Sequence, residues 1–553
     1  MSQSLPRRWA RGIPALTVLA TMTLLAGPGQ AADGVPLYPP GVDSAYSLTS
    51  MEHPDLSGPA LTFELYGLSD PADGPVVKDQ VARTMFWNAA TGENRAIGAT
   101  VPHLPVTADQ RQPAVADVPG AGGTRDVYVV WQQRDDPVTG SWDLYLWRGD
   151  EQGNPDAGFP RMLVLGPAYS QQTSPDLALA ATPAGKHLVV AWVDDRDTAG
   201  AAGEIYLLDL TADGDVDGTP DFLEASFDPA TAGTRVDPSG DEYFGQHEPA
   251  VGSKGVFWLD DRAAGGSGES DVYRADLGVT PWTVGRFWNN SLDQPVTQPR
   301  ATGQGAAWLG PGIAGGPFEP WVKKVAGAAG IVTTLADPTA FDVTGMRFAL
   351  TGGHGGATDG DPDIFFFDKA TGQNVPVCSV GQAPGNRLRR QQDPTIGTAP
   401  GGARVIWADS RQWTNTPGTE VGSLAYELYV ALVPTVTGTA TRATVRLGQS
   451  VTLRAHVTPG FRGYPVRFQR GTRQTFTHAY YLGGRQYAYS GWRTLATKKL
   501  TKGSRASWRW TPSRRGTYWV RVWFKGGAKY TDVGARTVPH VGNASAVLKV
   551  VVR

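Results

Sequence analysis

An all-β chain, a β-propeller of seven or six blades followed by a β-sandwich, is the fold class this sequence predicts, and three observations carry it. Gly and Pro account for 69 and 42 of the 553 residues; average usage is roughly an eighth for the two together, so the excess means many turns and few long helices. A proline followed closely by an apolar residue recurs along the first three quarters of the chain. Charge is divided: residues 434–553 hold 22 Lys and Arg against one acid, Asp532, whereas residues 1–433 hold 28 bases and 51 acids. The net charge of −2 therefore hides two parts of opposite sign, and the basic part calls for a polyanion or an anionic surface as partner.

The first 31 residues contain no acid; Arg7, Arg8 and Arg11 precede an apolar stretch from Ile13 to Ala26, and small residues follow around Gly29-Gln30-Ala31. This pattern predicts a secretory signal peptide over 1–31 and a secreted mature protein. The stretch is short for a bilayer, and no other apolar run of spanning length occurs, so no transmembrane segment is expected after cleavage. Cys378 is the single cysteine, which excludes an intrachain disulfide and reads as a small buried hydrophobe.

Residues 32–433 carry the repeat. Its first anchor is the proline, in His53-Pro54, Gln112-Pro113, Ser174-Pro175, Glu248-Pro249, Gln298-Pro299, Asp337-Pro338 and Asp393-Pro394. The second is a β-rich run ending in tryptophan and a charged turn: Trp131-Gln-Gln-Arg134, Trp192-Val-Asp194-Asp195-Arg196, Trp258-Leu-Asp260-Asp261-Arg262 and Trp407-Ala-Asp409-Ser-Arg411, with Trp308 marking a decayed copy. The third is an acid before an apolar and aromatic strand, as in Asp143-Leu-Tyr145, Glu204-Ile-Tyr206, Asp271-Val-Tyr273, Asp363-Ile-Phe365 and Glu427-Leu-Tyr429. Three or four short strands per unit is the spacing of propeller blades. Seven anchors favour seven blades, while the departures in the first, fifth and sixth units leave six open. No fourth strand follows Val430, so residues 36–50 are expected to supply it and close the ring, because closure removes exposed strand edges.

The arrangement W-x-D-x-R followed by [DE]-[ILV]-Y resembles the repeat of bacterial TolB-like β-propellers, over roughly residues 51–433. The resemblance implies the fold and leaves the activity open. An Asp and an Arg that recur in every blade read as architecture, pairing within or between blades.

Chemistry is expected where the repeat varies. Asp213, Asp215, Asp217, Asp221 and Glu224 fit D-x-D-x-D-G-x5-E, oxygen ligands at calcium-loop spacing with Gly218 at the sharp turn. A strand precedes the loop where a helix would open an EF-hand, so it reads as either a structural calcium clip or a solvated acidic turn. A second loop gathers His354, Asp359, Asp361 and Asp363 and reads mainly as an ordinary Gly-rich connection. The polar residues before the prolines, His53, Glu248, Asp337 and Asp393 among them, with His247 alongside, are expected to converge near a channel mouth as ligand-binding groups. Glu248, Asp337 and Asp393 are the carboxylates that an alternative glycosidase or lyase reading would use. No G-x-S-x-G, H-E-x-x-H or Walker loop occurs, which excludes the serine-hydrolase, zincin and nucleotide-driven classes those motifs define.

After a linker at 434–437, residues 438–553 alternate as a sandwich does. The run Gly503 to Tyr518, with Trp508-Arg-Trp510 and Tyr518 at a corner position, is similar to bacterial Ig-like domains. Alternation puts Tyr518, Val520, Val522 and Phe524 inside and Trp519, Arg521, Trp523 and Lys525 outside. Aromatic rings interleaved with cations suit an anionic polysaccharide; nucleic acid is disfavoured for a secreted protein. The expectation is a non-enzymatic surface or extracellular binding protein, its propeller a ligand platform and its basic domain a tether to anionic cell-envelope polymer. A structural calcium ion is the one cofactor it includes.

Overall fold

The computed structural model describes residues 35–36 and 49–553, apart from 69–77, 89–93, 98–107, 121–123, 135–139, 168–169, 198–202, 238–244, 263–269, 280, 289–295, 312–317, 327–328, 332–337, 353–362, 369–372, 379–390, 400–401, 410–426, 477–485, 527–528, 534–535 and 540. The signal peptide, Asp337, Arg411, His354, Asp359 and Asp361 lie outside the described residues. Among the described residues no helix is long and apolar enough to cross a membrane.

Seven antiparallel sheets follow one another in sequence. Six have four strands in chain order, here a to d: blade one spans Thr49 to Ala96, blade two Asp109 to Val164, blade three Gln172 to Arg235, blade four Gln246 to Trp288, blade five Thr297 to Ile331 and blade six Phe341 to Cys378. Blade seven has Gln391–Ala399, Gly402–Asp409 and the first part of Glu427–Ala440. Its outer strand is Val35–Pro36, with Val35 opposite Val430 and Pro36 opposite Tyr429. The ring is thus closed by chain-end pairing, and the blade number is seven. Each a strand touches that of the next blade, and blade seven's touches blade one's, so the a strands surround the axis. Between blades the faces are apolar: Leu56, Leu61 and Phe63 of blade one pack with Ile406, Leu428 and Val430 of blade seven.

The linker expected at 434–437 is corrected. Glu427–Ala440 is one unbroken strand; Gly402 faces Pro434 on one side of it, and Thr435 faces Thr458 on the other. The strand passes from one sheet to the next without a free residue, and Asn543 Nδ2 donates to the Pro434 carbonyl at 2.7 Å. The C-terminal part is therefore docked on the propeller, on the face away from the starts of the a strands.

That part is a sandwich. One sheet joins the end of Glu427–Ala440 to Val451–Thr458 and Arg505–Trp510; the other runs Thr444–Val445, Leu548–Val552, Gly516–Phe524, Pro465–Phe476, Gln486–Lys499. Val451, Leu453, Ala455 and Val457 from the first sheet meet Val466, Phe468, Val520, Val522, Phe524 and Val550 from the second. The Tyr518 hydroxyl donates to the Arg514 carbonyl at 2.8 Å, as a corner tyrosine does.

Candidate functional site

The recurrent Trp-x-Asp-x-Arg is a clamp. In blade four, buried Asp260 accepts from Trp258 Nε1 at 3.2 Å and from Arg262 Nε at 2.8 Å, while the Arg262 guanidinium lies 4.6 Å from the Tyr273 ring. Blade three repeats it with Trp192, Asp194, Arg196 and Tyr206. A fourth member went unread in the sequence, the glutamine three residues before each of four anchor prolines. Gln246 donates to Asp260 at 3.3 Å and accepts the Ile205 amide of the preceding blade at 3.0 Å; Gln391 does the same with Asp409 and Ile364. Q-x-x-P at Gln110, Gln172, Gln246 and Gln391 was the available signal.

The residues before the prolines meet around the axis, at the face where the a strands begin. His53, Gln112, Ser174, Glu248, Gln298 and Asp393 all have φ between 47° and 53°. Each sits where its strand slips register against strand b, as between Glu52 and Asp55 or Gln392 and Thr395. The bulge turns amides toward the preceding blade: Gln112 Oε1 accepts the Ser174 N–H at 3.0 Å, and Glu248 Oε2 accepts that of Gln298 at 2.5 Å. These polar residues therefore tie blades together, and Glu248 spends one carboxylate oxygen on a neighbour's backbone.

His53 and Asp393 are brought together. His53 Nε2 lies 3.8 Å from Asp393, its Nδ1 lies 3.0 Å from Glu64, and Glu64 also accepts from the Tyr66 hydroxyl and, at 2.7 Å, from the Gln112 amide. Burial alone would lower the His53 pKa, but its hydrogen bond to Glu64 and the charges of Glu64, Asp393 and Glu52 win and lift it to about 9. Burial raises Asp393 against the opposing charge of His53. His247, by contrast, faces Asp261 at 3.3 Å and Ser270 at 3.4 Å through the same Nε2. One nitrogen cannot relay a proton between serine and carboxylate, so this trio is no triad.

Beyond the mouth lies a layer the sequence did not disclose. Asp55 accepts the Val115 amide at 2.7 Å, Asp176 that of Val251 at 2.6 Å, and Asp342 that of Ile396 at 2.8 Å, each across a blade boundary. Burial first, then the charges of Asp342 and Asp176, push Asp55 up to about 7. Burial also raises Asp176 and Asp342, and Arg300 is the cation that opposes it in both.

In the acidic loop, carboxylate oxygens of Asp213, Asp215 and Asp217 lie within 4.8 Å of one another. Asp221 and Glu224 are not in that group: Asp221 opens a 3-10 turn and accepts the Gly214 amide at 2.7 Å, and Glu224 accepts from Ser226 at 2.8 Å. Positive φ at Val216 and Gly218 curls the backbone so that the three aspartates converge.

On the sandwich, the outer face of Gly516–Phe524 is as alternation implies, with one correction. Arg521 is buried: it donates to Gln469 at 2.9 Å and lies 4.0 Å from the Trp492 ring. Residues 486–499 form one arm of a long hairpin whose Trp492 covers it, and a Cβ at Gly471 would come within 2.8 Å of that indole. Burial lowers the Arg521 pKa to about 9. Trp519 and Trp523 stay half-buried; Arg473 lies 4.8 Å and Lys549 5.9 Å from the Trp519 ring, and Arg467 lies 5.2 Å from Trp523. Lys525 ends the row, half-buried.

No protein-family model matches the sequence, and no curated protein does. Among solved structures, the chain is similar to a prolyl endopeptidase at 10% identity and TM-score 0.36, over 70% of this chain and 55% of that one, so it spans just over half the peptidase. It is similar to the β-propeller domain of the Trilobed protease from Pyrococcus furiosus at 8% identity and TM-score 0.40, over 70% and 93%. A Penicillium chrysogenum α-L-arabinanase gives 13% identity and TM-score 0.35, over 73% and 97%. The propeller fold of this chain rests on its own seven sheets.

Proposed function

We propose that this is an exported, non-enzymatic binding protein whose Ig-like basic sandwich grips an anionic cell-envelope polymer while the propeller presents a second partner site at its channel mouth. The observation that carries the reading is the cationic face of the sandwich. Arg467, Arg473 and Lys549 rest on the Trp523 and Trp519 rings, which holds the charges in place before a polymer arrives. Ordering long side chains beforehand lowers the entropic cost of binding. Cations seated on indole rings favour phosphate or carboxylate chains over stacking of neutral sugars. The strand order, with Thr444–Val445 parallel to Leu548–Val552, supports the Ig-like reading.

The test is co-sedimentation of the mature chain with purified cell-wall sacculi at low and high salt. Binding that falls at least tenfold in Arg467→Ser/Arg473→Ser/Lys549→Ser, and a weaker salt dependence of what remains, supports the proposal. Salt-insensitive binding, or an unaffected triple variant, overturns it.

The same proposal includes calcium at the acidic loop. Three convergent carboxylates, those of Asp213, Asp215 and Asp217, suit a hard cation. Calcium at a hundredfold excess over its Kd is expected to stabilise the fold by about 2.7 kcal/mol, read as a rise in Tm that EDTA reverses and Asp215→Asn abolishes. An unchanged Tm excludes the site.

One observation favours a second reading, hydrolysis at the channel mouth: His53 stands beside Asp393, whose carboxyl burial holds up. Turnover on a polysaccharide panel that Asp393→Asn abolishes, with folding intact, would establish it.

A further inference from the structure

The first sheet of the sandwich has an outer face that the tether does not use. Along Val451–Thr458 and Arg505–Trp510, Val451, Leu453, Ala455, Ala506 and Trp510 point into the core, so alternation turns Thr452, Arg454, Arg505, Ser507 and Arg509 outward. Arg454 stands directly opposite Ser507. Arg505 and Arg509, two residues to either side of Ser507, are its diagonal neighbours at roughly 7–8 Å. Thr439 lies opposite Arg454 on the other flank, and Thr452 opposite Arg509. The three arginines are exposed, and none has an ion-pair partner among the described residues. Residues 434–553 include a single acid, Asp532, so the strands bring these cations together with almost nothing of their own to neutralise them. Like charges side by side weaken a sheet, and an anion laid across them would relieve the repulsion.

The face with Arg467, Arg473 and Lys549 on the Trp523 and Trp519 rings belongs to the other sheet. Both sheets turn their apolar sides to one core, where Leu453 and Ala455 meet Val520, Val522 and Phe524. The two cationic faces therefore look in opposite directions, with about 10 Å between the sheets that carry them. One segment of a polymer cannot lie on both. The faces also differ in make-up: indole rings hold the cations on the second sheet, whereas the hydroxyls of Thr439, Thr452 and Ser507 stand between them on the first.

We infer, on the reading of the sandwich as a polymer binder, that the first sheet is a second docking surface, for a polyanion with phosphate groups along its chain, and that the sandwich bridges two polymer strands held back to back. Charge complementarity selects the partner. A guanidinium fork pairs with two phosphate oxygens at once, and the hydroxyls between the arginines can donate to the same groups. Neither Trp nor Tyr lies on these outward rows, so a sugar ring finds no platform there. A flat sheet with cations at regular intervals suits an anion that repeats along a chain.

The mature chain is titrated at low salt with short-chain linear polyphosphate by calorimetry, and with long-chain polyphosphate under light scattering. Two short chains should bind per protein, and long chains should gather the protein into particles that disperse again at polymer excess, as a bivalent bridge does. Arg454→Ser/Arg505→Ser/Arg509→Ser should bind one short chain and form no particles, while its Tm holds or rises because like charges have been removed. Arg467→Ser/Arg473→Ser/Lys549→Ser should also bind one, through the face that remains. Lys502→Ser/Arg514→Ser/Arg515→Ser removes the same charge from exposed connecting turns and should leave both readouts unchanged. A single chain bound by the native protein, and lost only with Arg467, Arg473 and Lys549, overturns the second face and leaves the tether standing. An equal loss in the turn variant overturns it too, since net charge alone would then be acting. No binding of polyphosphate, or polygalacturonate bound as tightly, overturns the phosphate-bearing partner, whereas the tether itself stands or falls on the sacculi.

Discussion

Asp260→Ala is expected to cost about 3–5 kcal/mol of stability, whereas Asp261→Ala next to it costs about 1 kcal/mol. The two carboxylates are adjacent in sequence and opposite in circumstance. Asp260 is fully buried and receives Trp258 Nε1, Gln246 Nε2 and both the backbone and side chain of Arg262. Its removal strands a buried indole N–H and a buried amide, and leaves Arg262 with Asp237 alone, at 2.7 Å. Asp261 is part-exposed and its carboxylate, among the described residues, holds His247 and Ser270, which water reaches once it is gone. Urea unfolding of both variants measures the difference. Equal losses, or a loss under about 1.5 kcal/mol at Asp260, would remove the clamp as a stabilising unit of the blade.

The same pair shows how far the sequence could be read. Trp-x-Asp-x-Arg announced a repeated structural device, and the devices around it were local enough to see: Trp258, Asp260, Arg262 and Tyr273 all fall within one blade. The axial aspartates were invisible for the opposite reason. Asp55, Asp176 and Asp342 act on amides 60, 75 and 54 residues away, and neither Pro54-Asp55 and Pro175-Asp176 nor Phe341-Asp342 stands out in a turn-rich chain. Likewise, alternation put Arg521 on the outer face of its strand, but only the length and register of the Pro465–Phe476 and Gln486–Lys499 hairpin brings Trp492 over it. The decay of the clamp in blade five was legible at Trp308-Leu-Gly310; that Ile331 stands opposite Trp321, where Arg235 and Arg286 stand opposite Tyr206 and Tyr273, became visible only from the register.

Arg300→Met is expected to destabilise the propeller by about 2 kcal/mol at pH 8 and by much less at pH 4. Arg300 opposes the charges of Asp176 and Asp342, and Asp342 in turn repels Asp55. Asp55 rises from an ordinary carboxylate value of 3.8 to about 7 in the folded protein. A group raised on folding gives its full stabilisation below the unfolded pKa and loses it as pH climbs through the folded one. Asp55 therefore favours the fold below pH 3.8 and withdraws that support by about pH 7, and Asp176 and Asp342, which burial raises in the same direction, lose theirs as they ionise around one arginine. Without Arg300, the withdrawal is deeper in the pH range where they are ionised and absent where they are neutral. His53, raised from 6.5 to about 9, also loses its contribution with rising pH, but in a higher window. Wild type and variant both carry it, so the difference between their unfolding midpoints cancels His53 and reports the axial layer. Arg300→Lys should recover part of the loss, because a cation rather than a particular hydrogen bond is what the aspartates need. A penalty for Arg300→Met that is the same at pH 4 and pH 8 would mean that Arg300 acts by packing alone and that the axial carboxylates are not coupled through it.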